Sequence, residues 1–435
     1  MVRPIILISL VVIIGCGDEA APVGSLDGGP TDAAGAGTGG SVGFGGSSGA
    51  VGSGGTGGSA GFGGTGGIDA SAGTGGSSAG AGGASGGTGG ASGAALPRLL
   101  VSVPQGTPPG VAIWNNADSI TVARAADLTL IKTGGVAPFK LALAGERLFV
   151  GTRGQISGDY PPVVVFDGIR AMTDGQTAPA ELRLAAFSSF FARSGTWLLV
   201  ADGADHLWVG DLGTRLHLFG GAATLTSTST TQATFNNGYY FTALAYDDIG
   251  KKLIGVTRGT DILVWNDAGS RTGEVTTSDW TLAPPTTGFT FTALVLTGDR
   301  LYANRLENGS GNSAIWIWKD VSRMTAGRAP DAIISNAAVT AVRDNVLYGA
   351  RRVPAEVQIF RNADALATGA SADKLVSLSG PAARLAIGKG GRLYLTQAAS
   401  VDIYDNVLTA PARVASLPVD PGAARGPGFD LLLVE

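Results

Sequence analysis

The chain has 435 residues, 44% of them hydrophobic, with 30 basic against 34 acidic side chains and a net charge of −4. The first 96 residues hold five of the acids and only one base, so residues 97–435 are formally neutral. That balance gives no support for a nucleic-acid-binding surface, and a single cysteine excludes an intramolecular disulfide framework.

Arg3 precedes an apolar run from Ile5 to Ile14 that only Ser9 interrupts. As helix the run spans about 15 Å, half a bilayer core, which suits the apolar region of a signal peptide rather than a membrane-spanning anchor. It ends in Ile13-Ile14-Gly15-Cys16. This resembles the lipobox of bacterial lipoproteins: a branched apolar residue, a tolerant position, a small residue, then cysteine. The resemblance implies that residues 1–15 are a signal peptide cleaved before Cys16. It also implies that the Cys16 thiol and its new amine carry acyl chains such as palmitate, and two or more chains hold a protein firmly to a membrane. An ordinary signal peptide would leave the only cysteine unexplained. Gly17, where an aspartate would resemble the inner-membrane retention signal of enteric bacteria, leans towards the outer membrane, periplasmic or surface-exposed.

Residues 16–96 form a Gly-, Ser-, Ala- and Thr-rich segment, with 33 of the 70 glycines between Gly17 and Gly93. Such a composition cannot bury enough apolar surface to offset chain entropy. The expectation is a disordered tether with a root-mean-square span of about 50 Å.

From residue 97 to 435 one unit recurs seven times: Leu99-Leu100-Val101-Ser102, Leu148-Phe149-Val150-Gly151, Leu207-Trp208-Val209-Gly210, Leu253-Ile254-Gly255-Val256, Leu301-Tyr302-Ala303-Asn304, Leu347-Tyr348-Gly349-Ala350 and Leu393-Tyr394-Leu395-Thr396. A second unit follows each, ending in an aromatic residue and usually a polar pair. Its aromatics are Trp114, Phe166, Phe219, Trp265, Trp318, Phe360 and Tyr404, spaced 42 to 53 residues apart. Both units read as strands closed by Asn/Asp/Gly turns. Outer strands are predicted near Leu128–Ile131, Glu181–Leu184, Ala332–Ile334, Lys374–Leu378 and Arg413–Leu417, with an inner strand leading each next unit. Four strands per repeat of this length predict a β-propeller blade. The domain begins on a second strand and finishes on an inner strand, Phe429 to Glu435, so the two halves are expected to complete one sheet. The pattern resembles NHL-type seven-bladed propellers over the whole of 97–435, an all-β architecture that implies no particular activity.

Candidate chemistry is sparse. With Cys16 lipidated no cysteine mechanism remains, and His206 and His217 fall on adjacent strands of one blade, where sheet histidines are the expected reading. The oxygens of Asp202, Asp205, Asp247, Asp248, Asp344 and Asn345 could hold a divalent metal in a funnel, but all sit in turns where Asp and Asn belong anyway. Arg153, Arg258, Arg305 and Arg351 each lie three or four residues beyond the slot of the second strand. They could form a rim for an anionic ligand, or pair locally with Asp159, Asp261, Glu307 and Glu356. The aromatic slots are expected to pack between blades. The resulting expectation is a monomeric binding or scaffolding module, without cofactor, held at the membrane by its lipid anchor and engaging an envelope protein or glycan. The alternative is a metal-dependent envelope hydrolase or lactonase with its site in the propeller funnel.

Overall fold

The computed structural model describes residues 96–435, apart from 104–109, 132–136, 154–162, 173–180, 184–195, 212–214, 227, 237, 239–240, 258–260, 283–288, 308–311, 352, 383, 398 and 420–429. The leader, Cys16, the glycine-rich segment and Arg258 lie outside the described residues, as does the side chain of Arg153.

Seven sheets follow one another along the chain, as the repeats predicted. Blade 1 joins Leu431–Val434 to Arg98–Val103, Gly110–Asn115 and Leu128–Ile131, in that spatial order. Blade 2 is built from Ala137–Ala144, Arg147–Arg153, Val163–Phe166 and Glu181–Arg183. Blade 3 uses Thr196–Ala201, His206–Asp211, Arg215–Gly220 and Ala233–Asn236; blade 4 uses Phe241–Asp247, Lys252–Thr257, Ile262–Trp265 and Trp280–Thr281. Blade 5 comprises Phe289–Thr297, Arg300–Glu307, Ser313–Lys319 and Ala332–Ser335. Blade 6 comprises Ala341–Arg343, Val346–Arg351, Glu356–Arg361 and Lys374–Ser377, and blade 7 Arg384–Ile387, Leu393–Thr396, Ser400–Asp405 and Ala412–Pro418. The first strand of each blade touches that of the next, and blade 7 touches Leu431–Val434, so the seven blades form a closed ring.

The ring follows from blades that are apolar on both faces. Lys252–Thr257 is buried at every position, and a sheet covered on two sides needs a neighbour on each. The two repeating slots supply that cover. In each of the seven interfaces a second-strand slot residue shares a buried cluster with the third-strand aromatic of the following blade. The pairs are Leu100 with Phe166, Phe149 with Phe219, Trp208 with Trp265, Ile254 with Trp318, Tyr302 with Phe360, Tyr348 with Tyr404, and Tyr394 with Trp114.

The turn after the third strand repeats as strictly. Its second residue has a positive φ in all seven blades, between 49° and 71°, at Asn116, Gly168, Gly221, Asp267, Asp320, Asn362 and Asn406. Only glycine, or a short side chain that bonds locally, takes this conformation without large strain. In six blades the next residue donates its N–H to the carbonyl just before the second strand, as Ala117 does to Pro97 and Ala363 to Asn345, both at 2.8 Å. Four blades add a carboxylate: Asp127, Asp279, Asp331 and Asp373 accept the N–H of Asn115, Asn266, Lys319 and Arg361 at 2.6 to 2.7 Å.

One departure from four-strand regularity lies at blades 3 and 4, where the sequence pattern placed no outer strand. Gly273–Val275 leaves blade 4 and pairs in parallel with Ala233–Asn236, giving blade 3 a fifth strand. Gln232 stands where other blades carry the aspartate. Its amide crosses instead to the carbonyls of Gly269 and Arg271 at 2.7 and 3.1 Å.

The predicted closure is present: Leu431 to Val434 pairs with Val101 to Arg98. Asp430, fully buried, leads that strand and joins three blades. Its N–H donates to Ser102 Oγ at 2.6 Å, its Oδ2 accepts the Leu141 N–H of blade 2 at 2.8 Å, and its Oδ1 lies 3.3 Å from Arg384 Nε of blade 7. At the other end Glu435 accepts two bonds of 2.8 Å from the Arg343 guanidinium of blade 6. Replacing Asp430 with alanine removes the carboxylate facing a buried arginine and is expected to cost about 3–5 kcal/mol. Arg343→Ala, at the more exposed pair, is expected to cost about 1 kcal/mol or less. Urea unfolding of both variants checks this, and equal losses would mean that the ring is not held at Asp430.

Candidate functional site

Four of the six proposed metal ligands, Asp202, Asp205, Asp247 and Asn345, have a backbone task. Asp202 Oδ1 accepts the N–H groups of Ala204 and His206, both at 3.0 Å, and its Oδ2 accepts Trp208 Nε1 at 2.8 Å. Asp247 Oδ1 takes the N–H groups of Ile249 and Gly250 at 3.1 and 3.0 Å. Asp205 and Asn345 accept from Ala223 and Asp364, at 2.7 and 2.8 Å, and thereby tie the turn before the second strand to the turn after the third. Asp205, Asp344 and Asn345 have positive φ, which explains their identity as turn chemistry. Asp248 is exposed. Among the described residues no group of three or more His, Cys, Asp or Glu is placed to hold a metal ion.

The histidines lie on adjacent strands, as expected, but three strand positions out of step: His206 pairs with Gly220 and His217 with Val209. His206 Nδ1 is 3.0 Å from Asp202 Oδ2, and its ring meets Tyr246 edge-on at 5.4 Å. His217 is buried beside Thr234, with Nδ1 3.3 Å from the hydroxyl. Burial, helped by the charge of Arg215, lowers its pKa from 6.5 to about 4.

The four arginines do not come together as a described set. Arg153 is the last residue of its strand, opposite Ala137, with its side chain undescribed, and Arg258 is outside the described residues. Arg351 makes the local pair, 3.0 Å to Glu356 Oε1, with a further bond of 3.2 Å to the Val353 carbonyl. Arg305 does not follow the local-pair expectation. Among the described residues no carboxylate pairs with it. Its guanidinium carbon lies 3.7 Å from the centroid of Phe289 and 5.3 Å from that of Trp316.

Blade 5 builds this position from strand alternation. Phe289 and Phe291 stand two apart on the first strand, Arg305 faces Phe291 from the second, and Ala314 faces Arg305 from the third, two residues before Trp316. All therefore share one face of the sheet. The three aromatic rings lie 5.6 to 5.9 Å apart, centroid to centroid. A β-bulge between Phe291 and Ala293 re-aims the first strand here, and Thr292 accepts the Asn304 amide at 2.7 Å. Beside the stacked guanidinium is a cleft of about 210 Å³ lined by Arg305, Glu307, Asn312, Ser313, Ser335 and Asn336. Arg305 Nε, Asn304 Oδ1 and Trp316 Nε1 are buried with no hydrogen-bond partner among the described residues. Each such atom costs free energy, and three of them lie close together on the second and third strands of this blade.

The pattern Arg305 shares with Arg351 brought it to notice in the sequence. The aromatic platform has a sequence signal of its own, the alternation in Phe289-Thr290-Phe291 and in Trp316-Ile317-Trp318. The repeating slot accounts for Trp318 at the blade interface and assigns no role to Trp316.

No protein-family model matches the chain, and no curated protein sequence matches it. Among solved structures it is similar to a chain of the Mitotic Checkpoint Complex, at 14% identity and a TM-score of 0.45 over 69% of this chain and 83% of that one. It is similar to Raptor of Chaetomium thermophilum at 12% identity and a TM-score of 0.45, over 69% of this chain and only 25% of that one. It is similar to BamB from Moraxella catarrhalis at 12% identity and a TM-score of 0.40, over 68% and 76% of the two chains.

A folded pKa below the unfolded value makes His217 a source of acid sensitivity. The unfolded chain takes up the proton first, so this stability is complete above pH 6.5 and is lost as the pH falls towards 4, by up to about 3 kcal/mol. Urea midpoints measured across that window should fall with acidity in the parent and flatten in His217→Gln. An unchanged slope in the variant would remove His217 as the cause.

Proposed function

We propose that this protein is a lipid-anchored binding module of the bacterial envelope, tethered through Cys16 and engaging an envelope protein or glycan through the exposed rim of its propeller. The observation that carries the binding reading is Arg305. It is a cation held on ring faces at the end of a blade, beside an open polar cleft, and no carboxylate of the chain pairs with it among the described residues. A guanidinium over a ring face keeps its N–H groups at its own edge, where they can make forked bonds. Of the oxygens offered for a funnel hydrolase, Asp202, Asp205, Asp247 Oδ1 and Asn345 already serve as acceptors in turns, which supports binding over metal-dependent hydrolysis.

The anchoring half of the proposal rests on Ile13-Ile14-Gly15-Cys16 and on Cys16 being the only cysteine. Gly17 and the glycine-rich segment favour an outer-membrane protein whose domain stands clear of the lipid. The NHL-type resemblance belongs to the same proposal: such rings present many strand-end loops around one rim, which suits partner binding without fixing a reaction.

Metabolic labelling with an alkyne palmitate analogue in a bacterial host tests the anchor. Label should appear on the full-length protein in the membrane fraction, and Cys16→Ala should abolish labelling and release the protein. Retained label in that variant would refute lipidation at Cys16. Crosslinking on intact cells with the anchored form should then yield envelope material whose recovery falls in Arg305→Ala.

A further inference from the structure

We propose that the blade 5 cleft takes one carboxylate-bearing sugar residue of an acidic glycan, a uronate, with its carboxylate on the Arg305 guanidinium. The inference rests on the binding reading above and supplies the ligand class that reading leaves open.

The charge balance of the cleft selects the ligand. Among the described residues that line it, Arg305 is the one cation and Glu307 the one anion, and Asn312, Ser313, Ser335 and Asn336 are neutral donors and acceptors. A polyanionic peptide would bring its second carboxylate against Glu307. A uronate brings a single carboxylate for the arginine and several hydroxyls for the amides and for the Glu307 carboxylate. The Glu307 side chain is already steered by the Asn312 amide at 3.1 Å, while its main-chain N–H donates to the Asn312 carbonyl at 2.8 Å. A volume of about 210 Å³ has room for a monosaccharide-sized group and little more.

The stack selects the geometry. Phe289, 3.7 Å below the guanidinium carbon, fixes the plane in which the Arg305 donors lie. Lysine could not use that platform in the same way, because its ammonium has no plane to stack and no fork to offer. The Nε lies buried on the stacked group with no partner among the described residues, so the fork that meets a carboxylate is the guanidinium edge carrying the two terminal nitrogens.

The test is calorimetric titration of the full-length protein in detergent with oligoglucuronate, oligogalacturonate, their neutral hexose counterparts and an oligoglutamate peptide. The uronates should bind, the neutral sugars should bind about tenfold or more weakly, and added salt should weaken the uronates. Arg305→Ala and Arg305→Lys should each lose about tenfold or more in affinity, since both remove the fork. Phe289→Leu, which keeps the charge and loosens the stack, should lose less. Arg351→Ala, whose arginine is paired with Glu356, should bind as the parent does. Thermal melts confirm that each variant is folded before its affinity is read. Equal affinity for uronate and neutral sugar, an unaffected Arg305→Ala, or tighter binding of the peptide would each overturn the proposal. If the uronates fail while crosslinking on cells still captures a partner through Arg305, the uronate inference falls and the binding module stands. If capture fails as well, both fall.

Discussion

The architecture depends on one constraint: each blade is apolar on two faces and can be covered only by its neighbours. In an open row the first and last blades would each leave a face exposed, with nothing to cover it. Here Leu431–Val434 completes blade 1 from the far end of the chain, so the seventh interface, Tyr394 against Trp114, is made of the same parts as the other six. The strand is then fixed at both tips. Asp430 reaches blades 7 and 2 from one, and Glu435 reaches blade 6 from the other. A carboxylate in a fully buried position would be costly alone. It is tolerated because the Leu141 N–H and the Arg384 guanidinium share it, while Ser102 Oγ accepts the main-chain N–H of the same residue.

Most of this was legible in the residues. The Leu-aromatic unit and the later aromatic mark two strands per blade because the same two slots must meet at every interface. The polar residue after that aromatic follows from backbone conformation: seven positive-φ positions admit Asn, Asp and Gly, and only those three occur. What could not be read depended on partners distant in sequence or on exceptions to the repeat. Asp127, Asp279, Asp331 and Asp373 look like ordinary loop acids until their shared acceptor role is seen. The outer strand of blade 4 is two residues long, and Gly273–Val275 belongs by hydrogen bonding to the blade before its own. Neither leaves a periodic trace.

The same distinction runs through the site. Arg305 and Arg351 occupy equivalent places after Tyr302 and Tyr348, and sequence spacing treats them alike. What separates them is the chemistry opposite. Glu356 stands across from Arg351 on the neighbouring strand, and Ala314 stands across from Arg305. An acid within a few residues therefore did not guarantee a pair, because strand register, not sequence distance, decides which side chains meet.

The closing strand also sets the order in which the molecule can come into being. A chain that emerges from its amino end makes three strands of blade 1 early, with the inner edge of Arg98–Val103 unpaired. That edge, flanked by buried Leu99, Leu100 and Val101, must wait through six further blades before residues 431–434 arrive. Throughout that interval it offers a bare row of N–H and C=O groups to any strand nearby, including strands of another nascent copy. Ring closure is thus a timed event as well as a shape, and the half-built first blade is the place where this molecule is most exposed to mistaken pairing.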